Sequence, residues 1–183
     1  MTRPTPINTE IKFSTKKYII SKTDKKGIII EVNDYFMKVS GYKESELIGQ
    51  SHNILRHPDM PKAVFTMLWD RLLKGKGITA VVKNLAKDGR YYWVVADFEM
   101  IRDHKTDKII AFSSFRKAPP QKAIDKMTLV YEKLLEIEKR DGTHDSLKYF
   151  QGFLDRNKIT YDEFIKELVE EGGLFKSLKS IFS

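Results

Sequence analysis

The spacing of apolar residues in this 183-residue chain changes period three times. Residues 17–23 (KYIISKT) and 27–32 (GIIIEV) are β-rich runs parted by Asp24, Lys25 and Lys26, and Gly27 can take the positive φ of a tight turn; the pattern predicts a hairpin. The pattern then shifts to helical spacing. NDYFMKVSGY places Tyr35, Phe36 and Val39 on one stripe and stops at Gly41, and KESELIGQ does the same with Leu47 before Gly49. From Pro61 to Lys74, Val64, Phe65, Leu68, Trp69, Leu72 and Leu73 follow the i, i+3, i+4, i+7 rule and predict the longest helix of the first half. ITAVVKNLA, RYYWVVADFEMIR and KIIAFSSFRK return to strand composition, parted by the turn sequences KDG and HKTD, and predict a three-strand meander.

Pro119 and Pro120 in APPQ cannot donate to a β-ladder and end that pattern. Beyond them a stripe of Ile124, Met127, Tyr131, Leu134 and Ile137 predicts a helix near 121–140. SLKYFQGFLDRN reads as a further short helix. TYDEFIKELVEEGG carries a capping box, Thr160 with Glu163, and reads as a helix closing on Gly172. LFKSLKSIFS is apolar at 174, 175, 178, 181 and 182 with lysines opposite. Two strands, a cluster of short helices and three long antiparallel strands predict an α+β domain with helices on one face of a five-stranded sheet. The expected division is an N-terminal segment 1–16, a domain 17–117 and a helical C-terminal extension 118–183, with no internal repeat.

Composition sharpens this picture in a few places. Hydrophobic residues make up 41% of the chain, enough for a packed core. No apolar run approaches the roughly 20 residues of a membrane span, and MTRPTPINTEIKF lacks the apolar stretch of a secretory signal, so the expected location is the cytoplasm. The formal charge of +8 is spread among 25 acidic residues without a long basic run, which argues against nucleic acid and fits an acidic partner or an anionic cofactor equally well. The chain has no cysteine, which excludes disulfides, thiolate metal sites and any cysteinyl adduct.

The densest polar chemistry is SHNILRHPDMPK at 51–62. Ordinary structural roles account for much of it, with His57 bonded to nearby backbone and Asp59 capping the long helix. A metal site on His52, His57 and Asp59 matches no standard ligand spacing. The chain offers no glycine-flanked serine elbow and no phosphate-cradling glycine loop, so a catalytic role is not expected.

Order and spacing add a resemblance. The succession NDYF, SGY, ELIGQ, the polar stretch, the long helix, GITAVVKN, DGRYYWV and the last strand resembles the PAS domain over residues 17 to about 117, a sensory fold whose helices enclose a ligand cavity against a five-stranded antiparallel sheet. Within that superfamily HNILRHPDMPK, running into Phe65 and Trp69 and then VKN and YWV, resembles the FAD-binding PAS domain of bacterial aerotaxis (energy-taxis) receptors. His52, Trp69 and Asn84 also give a looser likeness to the flavin-binding PAS domain of nitrogen-fixation regulators. The resemblance implies a bound flavin, FAD before FMN, serving as a redox sensor.

On that resemblance Trp69 and Phe65, one turn apart, flank the ring, although core packing explains Trp69 equally well; Asn84 and Asn33 serve its pyrimidine edge. Arg56 and Lys62 answer the diphosphate, with the first turn after Pro61 presenting N–H groups. His52 and His57 bond the ring or hold the loop, Asp59 belongs to the same cluster, and Trp93 is expected to face the helices. Light-sensing relatives use a cysteine that is absent here, which leaves reversible electron transfer. Aerotaxis receptors continue into a membrane anchor and a signalling coiled coil, whereas residues 118–183 resemble the short form found in split systems of CetB type. The expectation is a signal passed by contact to a separate methyl-accepting chemotaxis-type membrane transducer or another signalling protein, through the helical extension, with a homodimer as a further possibility. A haem-binding PAS gas sensor, with His52 or His57 as axial ligand, and a ligand-free PAS interaction module are the alternative readings.

Overall fold

The computed structural model describes residues 3–170. Strands β1 (Ile19–Asp24) and β2 (Ile29–Val32) form the hairpin, and Gly27 adopts φ 80° in its turn. Helix α1 (Asp34–Ser40) is capped by Asn33, whose side-chain oxygen accepts from the Phe36 N–H at 2.9 Å, and it ends at Gly41 in the left-handed region. After α2 (Glu44–Leu47) and a 3₁₀ turn (His52–Leu55) comes α3 (Lys62–Leu73). Then β3 (Ile78–Leu85), β4 (Tyr91–Arg102) and β5 (Ile109–Lys117) complete one antiparallel sheet in the order β2-β1-β5-β4-β3.

Strand parity assigns the two faces. Directly opposed pairs place Asn84 with Tyr92, Ala96 with Arg116, and Phe98 with Ser114 on the side of α1 to α3. The other side takes Lys83 with Trp93, and Val81 with Val95. β3 is an edge strand rather than a central one, and the polar stretch partly covers its open edge through an isolated Arg56–Asn84 bridge. The N-terminal segment lies along the start of β4: Ile11 N–H donates to Tyr91 O at 2.7 Å and Tyr91 N–H to Thr9 O at 3.0 Å.

Beyond Pro120 run α4 (Gln121–Asp141), α5 (Thr143–Arg156) and α6 (Tyr161–Val169). The capping box of Thr160 with Glu163 is present, but α6 stops at Val169; Gly172 and the amphipathic LFKSLKSIFS lie outside the described residues. The apolar stripe of α4 needs no partner protein to cover it. Met127, Val130, Tyr131, Leu134 and Ile137 are buried, the Tyr131 hydroxyl donates to Val81 O, and α5 and α6 close over α3, α4 and β3.

Candidate functional site

Between the inner face of the sheet and α3 lies a cavity of about 260 Å³. Its walls are apolar on the helix side, where Phe65, Leu68, Trp69 and Leu72 project from one stripe of α3, and mixed on the sheet side, where Val82, Phe98 and Phe112 alternate with polar groups. Trp69 meets Phe112 edge-on at 5.6 Å between ring centroids. The β1–β2 turn presses against the other side of Trp69: a Cβ on Gly27 would come within 2.9 Å of the indole, so this wall is built for glycine.

The polar groups come from three strands, β1, β3 and β5, and from the two turns beside them. Asn84 is buried on β3, within hydrogen-bond reach of the Tyr92 hydroxyl across the ladder. Arg116 is buried near the end of β5; Nη1 donates to Ser21 Oγ at 3.0 Å and Nη2 meets His52 Nε2 at 2.8 Å. The guanidinium only donates, so Nε2 must accept and His52 is neutral with its proton on Nδ1. Burial, followed by the neighbouring Arg116 charge, pushes the His52 pKa down to about 3. Burial also lowers Arg116, to about 10, with Tyr92 acting in the opposite sense. No carboxylate pairs with Arg116 among the described residues, and the buried Ser114 hydroxyl beside it has no hydrogen-bond partner.

Of the ten residues singled out in the sequence, His52, Arg56, Phe65, Trp69 and Asn84 line this cavity. The other five have different work. Asn33 is the α1 cap; its amide also accepts from Ile20 N–H and donates to Tyr18 O, which leaves it no reach toward a ligand. His57 is buried against Tyr91 with Nδ1 accepting from Asp59 N–H, and burial together with the Lys83 charge brings its pKa down to about 4. Asp59 pairs with Lys83 at 2.6 Å at the strand edge.

Lys62 is exposed, and its N–H and that of Ala63 donate to the carboxylate of Glu138 at 3.1 and 3.0 Å. The start of α3 is therefore capped from α4, and the expected anion site there is filled by the chain's own side chain. Trp93 points away from the cavity and stacks on Tyr131 at 6.2 Å, 13° from parallel. The pairing of Asn84 with Tyr92 selects Tyr92 as the inward aromatic. Arg116, Ser114, Ser21 and Phe112 were missed in the sequence, although parity along FSSFR carried the signal: once Phe112 faces in, Ser114 and Arg116 must follow. No group of three or more candidate metal ligands gathers among the described residues.

Comparison with known proteins agrees with this architecture. Residues 29–113 match the PAS fold family. The domain is a PAS fold. The aerotaxis receptor of Escherichia coli (strain K12) is 37% identical over 139 residues, 75% of this chain and 27% of the receptor, so the chain spans about a quarter of that relative. A PAS domain from Colwellia psychrerythraea superposes with a TM-score of 0.51 at 22% identity, over 57% of this chain and 87% of the other. A light-oxygen-voltage domain probed with a flavin analogue superposes at 0.53 and 21%, over 60% and 82%. The chain carries a PAS fold and is similar to the aerotaxis receptor over three quarters of its own length. Among the described residues no helix is long and apolar enough to cross a membrane.

Proposed function

We propose that the cavity binds a flavin and that the protein is a redox sensor for energy taxis, signalling by contact with a separate transducer in the manner of CetB-type short PAS proteins. One observation carries the reading: a buried guanidinium with no carboxylate beside it. Burying a lone cation is costly, and a chain retains one where a ligand supplies the electron-rich partner. Arg116, Ser114 and Asn84 offer donors on one side of an apolar slot whose other wall is Trp69 and Phe65, which suits a planar heteroaromatic with an acceptor-rich edge.

A bound flavin would supply reversible electron transfer. The chain's part is to grip the ring between α3 and the sheet, to turn Arg116 toward its electron-rich edge and to keep His52 neutral as the guanidinium's acceptor. Positive charge at that edge favours the reduced, electron-richer ligand. The haem alternative fares worse because His52 Nε2 is already engaged by Arg116 and Ser21, and His57 lies outside the cavity. The FAD form is preferred over FMN on the likeness to aerotaxis receptors.

The test is the absorption spectrum of the purified full chain, as isolated and after incubation with FAD or FMN. The expected result is a yellow protein that releases flavin on heating, with flavin lost in Arg116→Met. A Soret band, or a colourless protein that takes up neither flavin, would refute the reading.

A further inference from the structure

Three turns meet at one end of the sheet. β1 and β5 run antiparallel with Asp24 opposite Ala111, so the β1–β2 turn and the β4–β5 turn (residues 103–108) leave the sheet together. The end of α3 arrives beside them: a Cβ on Gly75 would come within 2.9 Å of Arg102 Nη2, and one on Gly27 within 2.9 Å of Trp69. We propose that this end of the domain docks on the surface of a bilayer that carries anionic lipid, with the lysines of the three turns over the headgroups and Leu73, Ile110 and Ile30 in the interface.

This end is strongly positive. Lys25 and Lys26 on the first turn, Lys76 after α3, and Lys105 and Lys108 on the β4–β5 turn are all exposed, and their ammonium groups have no carboxylate partner among the described residues. The aspartates that lie among them have other work. Asp24 Oδ1 accepts from the Lys26 and Ile28 N–H groups at 2.8 and 2.9 Å, and Asp103 Oδ1 from those of Lys105 and Thr106 at 3.2 and 2.9 Å. Asp70 pairs with Lys74 at 2.8 Å and Asp107 with Arg102 at 3.4 Å. The five lysine heads are left to reach outward.

Apolar side chains stand among these charges. Leu73, Ile110 and Ile30 are 63%, 50% and 50% exposed, at the end of α3 and the starts of β5 and β2, whereas Ile7, Tyr18, Ile48 and Leu129, also exposed, come from four separate parts of the chain. A bilayer surface explains the combination better than an acidic protein does. Lysine carries a mobile point charge on an apolar stem, which suits a fluid layer of headgroups. Fixed carboxylates are gripped by arginine forks, and Arg102, the arginine beside the β4–β5 turn, is held by Asp107. Three apolar tips on separate elements suit shallow insertion below the headgroups. The β1–β2 turn also lines the cavity through Lys26 and Gly27, so docking would set that side of the cavity against the membrane, whatever the cavity holds.

Sedimentation of the full chain with vesicles of phosphatidylcholine alone, or of phosphatidylcholine and phosphatidylglycerol in equal parts, tests the assignment. Wild type should bind the phosphatidylglycerol vesicles and not phosphatidylcholine alone, and rising salt should release it. One lysine near an anionic leaflet is worth roughly fivefold in binding, so Lys105→Gln combined with Lys108→Gln should weaken it about 25-fold. Leu73→Ser combined with Ile110→Ser should weaken it at unchanged charge. All four residues are exposed, so the melting point should stay that of wild type. Lys38→Gln combined with Lys148→Gln removes the same charge from α1 and α5, away from these turns, and should change binding little. No binding to phosphatidylglycerol vesicles, equal binding to phosphatidylcholine alone, or an equal loss in the Lys38 and Lys148 pair would each overturn the proposal. Retention on immobilised polyglutamate by a chain that ignores both kinds of vesicle would assign this end to an acidic protein instead.

Discussion

On the outer side of β3 and β4, Trp93 lies flat against Tyr131, and the space beyond it is filled by Phe150, Phe153, Tyr161 and Phe164, which pack edge-on or stacked at 5.7 to 6.3 Å. On the inner side of the sheet Asn84 of β3 and Ser114 and Arg116 of β5 surround a cavity instead of filling it. The outer side is assembled as a core ordinarily is, from apolar surface closed against apolar surface. The inner side holds a cation with no carboxylate beside it and a neutral, half-buried histidine, which weaken the folded state, whereas a buried hydroxyl without a partner occurs on both sides, at Ser114 and at Tyr161. The helical extension therefore supplies stability that the ligand side gives away, and the two can be separated by experiment.

The widest effect should come from pH. His52 and His57 have folded pKa values of about 3 and about 4, below the ordinary 6.5, so the unfolded chain binds more protons than the folded one as pH falls through 6.5. Stability is then full above pH 6.5 and falls by up to about 1.4 kcal/mol per pH unit for each histidine, on the order of 5 kcal/mol in all by pH 4. Urea titrations from pH 7 to 4 measure the slope, and His52→Gln should roughly halve it. An unchanged slope would mean that the inner histidine is protonated in the folded chain.

Next, Phe164→Ala in the outer aromatic cluster should cost about 3 to 5 kcal/mol while the folded fraction keeps its flavin affinity. A matching loss of affinity would show that the two sides are one unit. Arg116→Met should do the reverse, abolishing flavin binding while raising the melting point of the ligand-free chain, a gain of about 1 to 2 kcal/mol from removing a buried lone charge. The smallest effect belongs to the link between the sides: Glu138→Gln keeps one acceptor oxygen toward α3, sets an NH2 group against the other N–H and loses the charge at the helix N-terminus, about 1 kcal/mol. Hydrogen exchange should show that loss as faster opening at the start of α3 and the end of α4.

The strands and helices were legible because each carries its own period, as in the meander from Ile78 to Lys117 and the α4 stripe from Ile124 to Ile137. The site was legible where its residues lie within one element, as Phe65 and Trp69 do on α3. It was obscured where the decision depends on pairing. RYYWVV offers Tyr92 and Trp93 on opposite faces, and only the register that sets Tyr92 across from Asn84 decides between them. Asn33 stands directly before an apolar helical run, the ordinary place for a cap, and the cap is the role it fills. Arg116 closes a strand just before a proline-rich break and looks like a solvent-facing charge unless parity is followed back to Phe112. Glu138 meets α3 across 75 and 76 residues of chain, with no local pattern to announce it.

The N-terminal segment has a practical consequence for anyone who trims this protein. β5 pairs with β4 only from Val95 onward, so at the start of β4 the ladder positions on that side are taken by residues 7–11, and Phe13 seals the edge of Tyr92. The strap passes so close that a Cβ on Gly89 would lie 2.3 Å from Thr5 O, a fit that only glycine permits. A fragment cut to begin at residue 17 would keep every strand of the sheet yet expose a short unpaired stretch of β4 beside a bare tyrosine, which is the kind of edge that recruits a second molecule. Dimers seen with such a fragment would then be a product of the scissors, and oligomeric state should be judged on chains that retain Arg3 to Phe13.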